Sequence, residues 1–349
     1  MKFAVVGGGV LGRTLAMELL PYGPVDIWDP HPKNGRESSA YQAGGMLAPY
    51  SEREKGEPQV FALGKASLEL WPQLFDKLSK FGLHHQSQGS LIVAHRRDHG
   101  LWHEVRDKVC HSLPDQSFEE GPAHHYEAEL SANLGKALFL PQEAHVDPRS
   151  FLEASYSFLL EHGVQWIQER VPQLAPGNVP VLFDQYDYTF DCRGLGALQD
   201  TEDLRGVRGE AAIVHAPQVN LHRPVRVMHP RYSLYVVPRP NNRYYLGATQ
   251  IESSSNSPVT LRSGLEILSA AFAIHPGFAE SHIEELCVGL RPAFFDNNPE
   301  IRVSGRFIQV NGLFRHGFLL SPIIAHLAAA HVLGNHDQQL FDTIVKDIS

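Results

Sequence analysis

Phe3-Ala4-Val5-Val6-Gly7-Gly8-Gly9-Val10-Leu11-Gly12 is a short apolar run that breaks into glycines, after which Leu11, Leu15, Leu19 and Leu20 recur at helical spacing. A second apolar run, Val25-Asp26-Ile27-Trp28, ends at Asp29-Pro30. Strand, turn, helix and strand in that order open a βαβ unit. The glycines read G-x-G-x-x-G. Gly7 permits the tight turn, Gly9 lets a pyrophosphate approach the backbone, and Gly12 lets the helix pack on the strand. The amides of Val10 and Leu11, at the start of the helix, then face the phosphates. Asp29 stands 17 residues beyond Gly12, where a carboxylate accepts from ribose hydroxyls, and a carboxylate there argues against a 2′-phosphate. The motif predicts a dinucleotide site without separating NAD from FAD.

Outward from this unit, Phe61, Leu68, Leu70, Trp71, Leu74, Phe75 and Leu78 form a helical stripe, and 90–94 reads as a strand. Asp147-Pro148-Arg149 starts a helix, with Asp as N-cap and Pro at the first helical position. Strands follow at 164–167 and 189–192, and 211–249 alternates like an antiparallel sheet. A strand pair over 301–310 feeds an apolar stretch, Gly317 to Leu333. Ser321, Pro322, His326 and His331 mark that stretch as a buried helix rather than a membrane span. Ser321-Pro322 reads as a helix N-terminus whose free amides can stabilise negative charge.

The 349 residues are 43% hydrophobic and 20% charged, a globular composition long enough for two or three domains. With 30 Lys+Arg against 39 Asp+Glu the formal charge is −9, which argues against nucleic-acid or membrane surfaces as partners. Cys110, Cys192 and Cys287 lie too far apart for a disulfide framework, so a cytoplasmic location fits. Twenty histidines invite a metal reading. His95, His99 and His103 are spaced to share a helix face, but Gly100 weakens that helix and Arg96, Arg97 and Asp98 suggest a solvated one. No metal is expected.

Five collinear segments carry a resemblance. They are 38–49 (SSAYQAGGMLAP), 145–149 (HVDPR), 235–239 (YVVPR) with Gly247-Ala248-Thr249, 289–292 (GLRP), and 314–322 (FRHGFLLSP). Together they resemble the D-amino-acid oxidase superfamily, on its glycine oxidase branch, along nearly the whole chain. The resemblance implies noncovalent FAD and an α/β (α+β mixed) fold. It implies a discontinuous Rossmann-like FAD-binding domain of 1–80, 140–210 and 285–349. A substrate domain of 81–139 and 211–284 would carry a large mixed or antiparallel sheet. It assigns Ser39, Ala43, Gly44, Gly45, Met46, Val171, Gly194, Gly196, Gly317, Phe318, Leu319 and Leu320 to the cofactor, beside the glycines and Asp29 above.

The same resemblance makes Arg291 the ligand of a substrate carboxylate, a task suited to a guanidinium that offers two parallel hydrogen bonds. Tyr235, on the neighbouring strand, and Arg315 complete the catalytic set, and Ser233, Gln250, Tyr50 and His316 line the pocket. The expected reaction oxidises a small amino acid or secondary amine of the glycine, sarcosine or D-amino-acid type. Hydride passes from Cα to flavin N5, an imine forms, and O₂ or another acceptor takes the electrons, giving H₂O₂ in the first case. Ser233 replaces a histidine and Gln250 an apolar residue of glycine oxidase, which leaves the amine open. Arg193 puts bulk and charge beside the expected cofactor. A flavoprotein acting on a protein-bound or otherwise modified amine is the alternative.

Overall fold

The structure is a computed structural model; it describes every residue except 32, 54–57, 112, 114–116, 131–132, 172, 230–232, 335–339, 341 and 349. The chain opens with β1 (Phe3–Val6), α1 (Val10–Leu19), β2 (Val25–Trp28), β3 (Met46–Leu47), α2 (Pro49–Glu52) and α3 (Pro58–Ser79). Next come β4 (His85–Gln86), β5 (Ser90–His95), α4 (His99–His111), β6 (Glu119–Pro122), α5 (Ala123–Tyr126), β7 (Leu134–Leu140) and β8 (Ala144–Val146). The middle holds α6 (Pro148–Glu161), β9 (Gln165–Ile167), β10 (Tyr188–Asp191), β11 (Arg205–His215), β12 (Val225–Met228), β13 (Ser233–Arg239) and β14 (Arg243–Gly247). The chain closes with α7 (Leu261–Ile274), β15 (His282–Ala293), β16 (Glu300–Ser304), β17 (Phe307–Asn311), α8 (Gly317–Leu333) and β18 (Val345–Asp347).

A seven-stranded sheet runs β18-β16-β17-β10-β1-β2-β9, parallel throughout except for β16 against β17. Its centre explains why Phe3-Ala4-Val5-Val6 shows no polar alternation. Phe3 and Val5 point into the core shared with α1 and α8, while Ala4 and Val6 point to the opposite core around Trp28, Phe183 and Tyr186. An eight-stranded sheet, β15-β11-β14-β13-β12-β5-β7-β6, is antiparallel except between β12 and β5. A small sheet, β3-β8-β4, completes the set. The first sheet draws on both ends and the middle of the chain, and the second on the two stretches between. The expected domain limits at 210 and 284 fall inside β11 and β15, whose paired ladder runs from Arg205 opposite Ala293 to His215 opposite His282, with one register shift between Ile213 and Val214.

Local chemistry sets several boundaries. Asp147 caps α6 by accepting from the amides of Arg149 (2.8 Å) and Ser150 (3.0 Å). α8 packs on α1 and α3 and is apolar around its whole circumference, as a core helix must be. It ends at Gly334 with φ of 69°. One expectation fails here: α8 starts at Gly317, four residues before Ser321-Pro322. Pro322 therefore sits inside the helix and cannot donate to the Phe318 carbonyl, which the Ser321 hydroxyl reaches instead at 3.3 Å. His95 ends β5 and His99 opens α4, so the histidine spacing of four spans two elements rather than one helix face.

Candidate active site

One cavity of about 1670 Å³ runs from the glycine turn to the face of the eight-stranded sheet. At the turn, Gly7 has φ of 107°, and a Cβ there would lie 2.5 Å from the Cys192 carbonyl oxygen. A Cβ on Gly12 would lie 1.9 Å from the Gly7 oxygen, which is the helix-on-strand contact the motif implies. Gly9 is the opposite case. Its Cβ would meet only Ser38 Cβ, at 4.0 Å, so the space above it is reserved for something else. α1 has no side-chain cap, and Val10 and Leu11 line the cavity, leaving the first amides to face an anion.

Asp29 also lines the cavity, and its carboxylate has a second task. Its Oδ2 accepts from the Gly8 amide and its Oδ1 from the His31 amide, both at 2.7 Å, with lone pairs remaining for a ribose. Arg13, which the motif reading passes over, braces the turn from below by donating Nε to the Gly8 carbonyl at 2.6 Å. It is fully buried, and burial lowers its pKa to about 10 despite the nearby Asp29 and Tyr156.

Ser39, Ala43, Gly44, Gly45, Met46, Val171, Gly194 and Gly196 line the same cavity. Gly45 has φ of 68°, and a Cβ there would lie 2.0 Å from the Val146 oxygen. Arg239 donates Nη2 to the Gly44 carbonyl at 2.6 Å and thereby fixes this edge. Gly317 and Phe318 line the cavity at the start of α8, which lacks a side-chain cap, so the amides stand four residues earlier than expected. Leu319 and Leu320 do not line it; their side chains are core, at 2% and 0% exposure. Gly12 too stays behind the wall, as a packing residue.

Arg193 lines the cavity but is tied down by the protein's own groups. It pairs with Asp191 (2.9 Å) and Asp200 (2.8 Å) and donates to the Val171 and Leu174 carbonyls, so its charge is already compensated. Two uncapped helix starts, a glycine cradle and a free ribose acceptor thus fit a flavin dinucleotide along this cavity.

Arg291, on β15, lies at the other end. Its guanidinium lies flat over Gly209 of β11, where a Cβ would be 2.4 Å from Nη2. It donates only to backbone carbonyls, Arg208 at 3.3 Å and Thr249 at 3.1 Å, and among the described residues no carboxylate pairs with it. Burial lowers its pKa, yet an arginine keeps its charge. Tyr235 lines the cavity from β13, but β11 and β14 separate its strand from β15. Their strands are not neighbours, and the two residues share the cavity wall. Arg315 and Gln250 also line the cavity.

Three pocket residues stand elsewhere or are not described. Tyr50 packs edge-on against Phe61 in an apolar cluster, at 5.6 Å between centroids, because α2 turns its ring away from the cavity. His316 is buried behind Arg315, and burial lowers its pKa to about 4, leaving it neutral. The side chain of Ser233 lies outside the described residues.

Glu52, at the end of α2, was not legible as a site residue. It is buried, lines the cavity, pairs with Arg315 and accepts from the Tyr235 hydroxyl. Its carboxyl is held down to about 2. Burial opposes this, but Arg315, Arg226, His316 and the Tyr235 bond outweigh burial. Among the described residues no group of three or more His, Cys, Asp or Glu is arranged to hold a metal.

A dinucleotide cradle and a partly buried cation without a carboxylate partner face one chamber, the arrangement of a nucleotide-dependent redox enzyme. The chain belongs to the DAO family of FAD dependent oxidoreductases, whose sequence pattern matches residues 2–331. It is accordingly an FAD-dependent enzyme. It is 38% identical over 339 residues, 97% of this chain and 98% of the other, to a putative thiamine biosynthesis oxidoreductase ThiO of Rhizobium etli. A glycine oxidase of Bacillus licheniformis is 26% identical over 362 residues, covering 95% and 92% of the two chains. Among solved structures, iminodiacetate oxidase from Chelativorans sp. BNC1 superposes with a TM-score of 0.82 at 22% identity, covering 99% of each chain.

Proposed function

We propose that this protein oxidises a small amino acid or secondary amine of the glycine or sarcosine type. The observation that carries the reading is Arg291, a partly buried guanidinium with only carbonyl partners in the same cavity as the cofactor cradle. A partly buried cation is costly without an anion, and a substrate carboxylate supplies one with two charge-assisted bonds. A relative named as a glycine oxidase supports the choice.

When bound, FAD supplies a two-electron acceptor at N5 for the Cα hydride, leaving an imine that water hydrolyses, with O₂ or another acceptor reoxidising it. The protein's own contribution is positioning. Arg291 anchors the carboxylate, Tyr235 and Arg315 bound the pocket beside it, and the Gly44–Gly45 edge admits close approach. No side-chain base is needed if the amine binds neutral. We also propose noncovalent FAD and a cytoplasmic location, in keeping with three free cysteines.

The test is an anaerobic screen of the purified flavoprotein with free amino acids and N-methyl amino acids. Bleaching of the flavin band by glycine or sarcosine is expected. Bleaching by none of them would reject the reading and favour a protein-bound or otherwise modified amine.

A further inference from the structure

Two guanidinium groups from different elements line the substrate end of the cavity, and only one is available. Arg315 is paired with Glu52, and the second Glu52 oxygen accepts from the Tyr235 hydroxyl. The carboxylate is held from behind as well. Arg226 is 1% exposed, donates to the Ser51 carbonyl and lies 5.5 Å over the Tyr235 ring. The Ser51 amide is fixed in turn by Glu143 at 2.7 Å. Glu52 is therefore a built-in anion, ionised at any working pH and aimed into the same space as Arg291.

Of the described arginines that line the cavity, Arg36, Arg170 and Arg262 are exposed, and Arg193 and Arg315 have carboxylate partners. Arg291 is left as the partly buried one without such a partner. A second carboxylate on the substrate would meet the Glu52 charge across the pocket, and Arg315 would have to abandon a bond already made.

We propose that Glu52 sets the charge selectivity of the pocket: it neutralises Arg315, so the site takes amines carrying one carboxylate and rejects those carrying two. This rests on Arg291 being the carboxylate ligand. It predicts that the same scaffold becomes a dicarboxylate site once the Glu52 charge is removed.

The experiment measures dissociation constants of acetate and malonate, which do not react, on the FAD-loaded protein by calorimetry and by flavin difference spectra. In Glu52→Gln the ratio of malonate to acetate affinity should rise about tenfold over the wild type. An unchanged ratio overturns the proposal. Arg315→Gln gives a second arm that does not depend on the first variant folding. There Glu52 keeps its charge and loses its partner, so malonate should weaken more than acetate, and equal weakening overturns the proposal. Failure of the underlying reading looks different: Arg291→Ala would then bind acetate as tightly as the wild type.

Discussion

Arg291 owes its place to Gly209. The guanidinium fills the volume a Cβ on β11 would take, so Gly209→Ala should displace it without disturbing the core. The expected result is an apparent KM for the amino acid raised about tenfold with FAD content unchanged. An unaltered KM would show that the guanidinium's rest position is unimportant. Arg291→Ala removes two charge-assisted bonds and should cost about 3 kcal/mol, a KM increase of more than a hundredfold. Arg291 and Tyr235 were legible because each sits in a compact motif. Glu52 was not. It stands in a stretch that reads as a solvated charge run, Glu52-Arg53-Glu54-Lys55, and its partners are 183 and 263 residues away. Nothing local distinguishes a carboxylate buried by distant chain from one in water.

At the scale of elements, α2 is a single turn that carries Glu52 into the cavity, and Glu143 is the post beneath it. Glu143 is fully buried, accepts from the Ser51 amide and the Ser90 hydroxyl, and burial raises its pKa to about 7 despite those bonds. A carboxyl whose folded pKa exceeds its unfolded value holds its proton more tightly when folded. Stability is therefore lost as pH rises from about 4.5 through 7, by about 3 kcal/mol in total. Glu143→Gln mimics the neutral form. Its stability relative to wild type in denaturant melts should grow between pH 5 and 8, and a constant difference would place the Glu143 titration outside that window. α8 offers a second check. Ser321→Ala leaves the Phe318 carbonyl, already deprived by Pro322, without its hydroxyl partner, and should cost about 1 kcal/mol in a thermal melt. The apolar run gives the helix span Gly317–Leu333 correctly, whereas Ser-Pro, a common first turn, suggests an N-terminus four residues too late. The β1-α1-β2 opening was readable to the residue because its steric demands are local. β15 was not recognised as a strand, since its mixed exposure, facing solvent at one end and the cavity at the other, hides the alternation.

For the whole molecule, two sheets assembled from interleaved stretches of chain enclose one chamber, and neither wall alone would bring the glycine turn to Arg291. The formal charge of −9 contrasts with the substrate end of that chamber, where, among the described residues, Arg291 is the guanidinium left without a carboxylate partner. Arg291 is the group that selects the substrate in this reading of the chamber. Paired amines that differ only in the carboxylate test it most directly: glycine against methylamine and sarcosine against dimethylamine, mixed anaerobically with the flavoprotein while its absorbance is followed. At least one carboxylate-bearing member should reduce the flavin while neither bare amine does so at the same concentration. Equal reduction within each pair would contradict it.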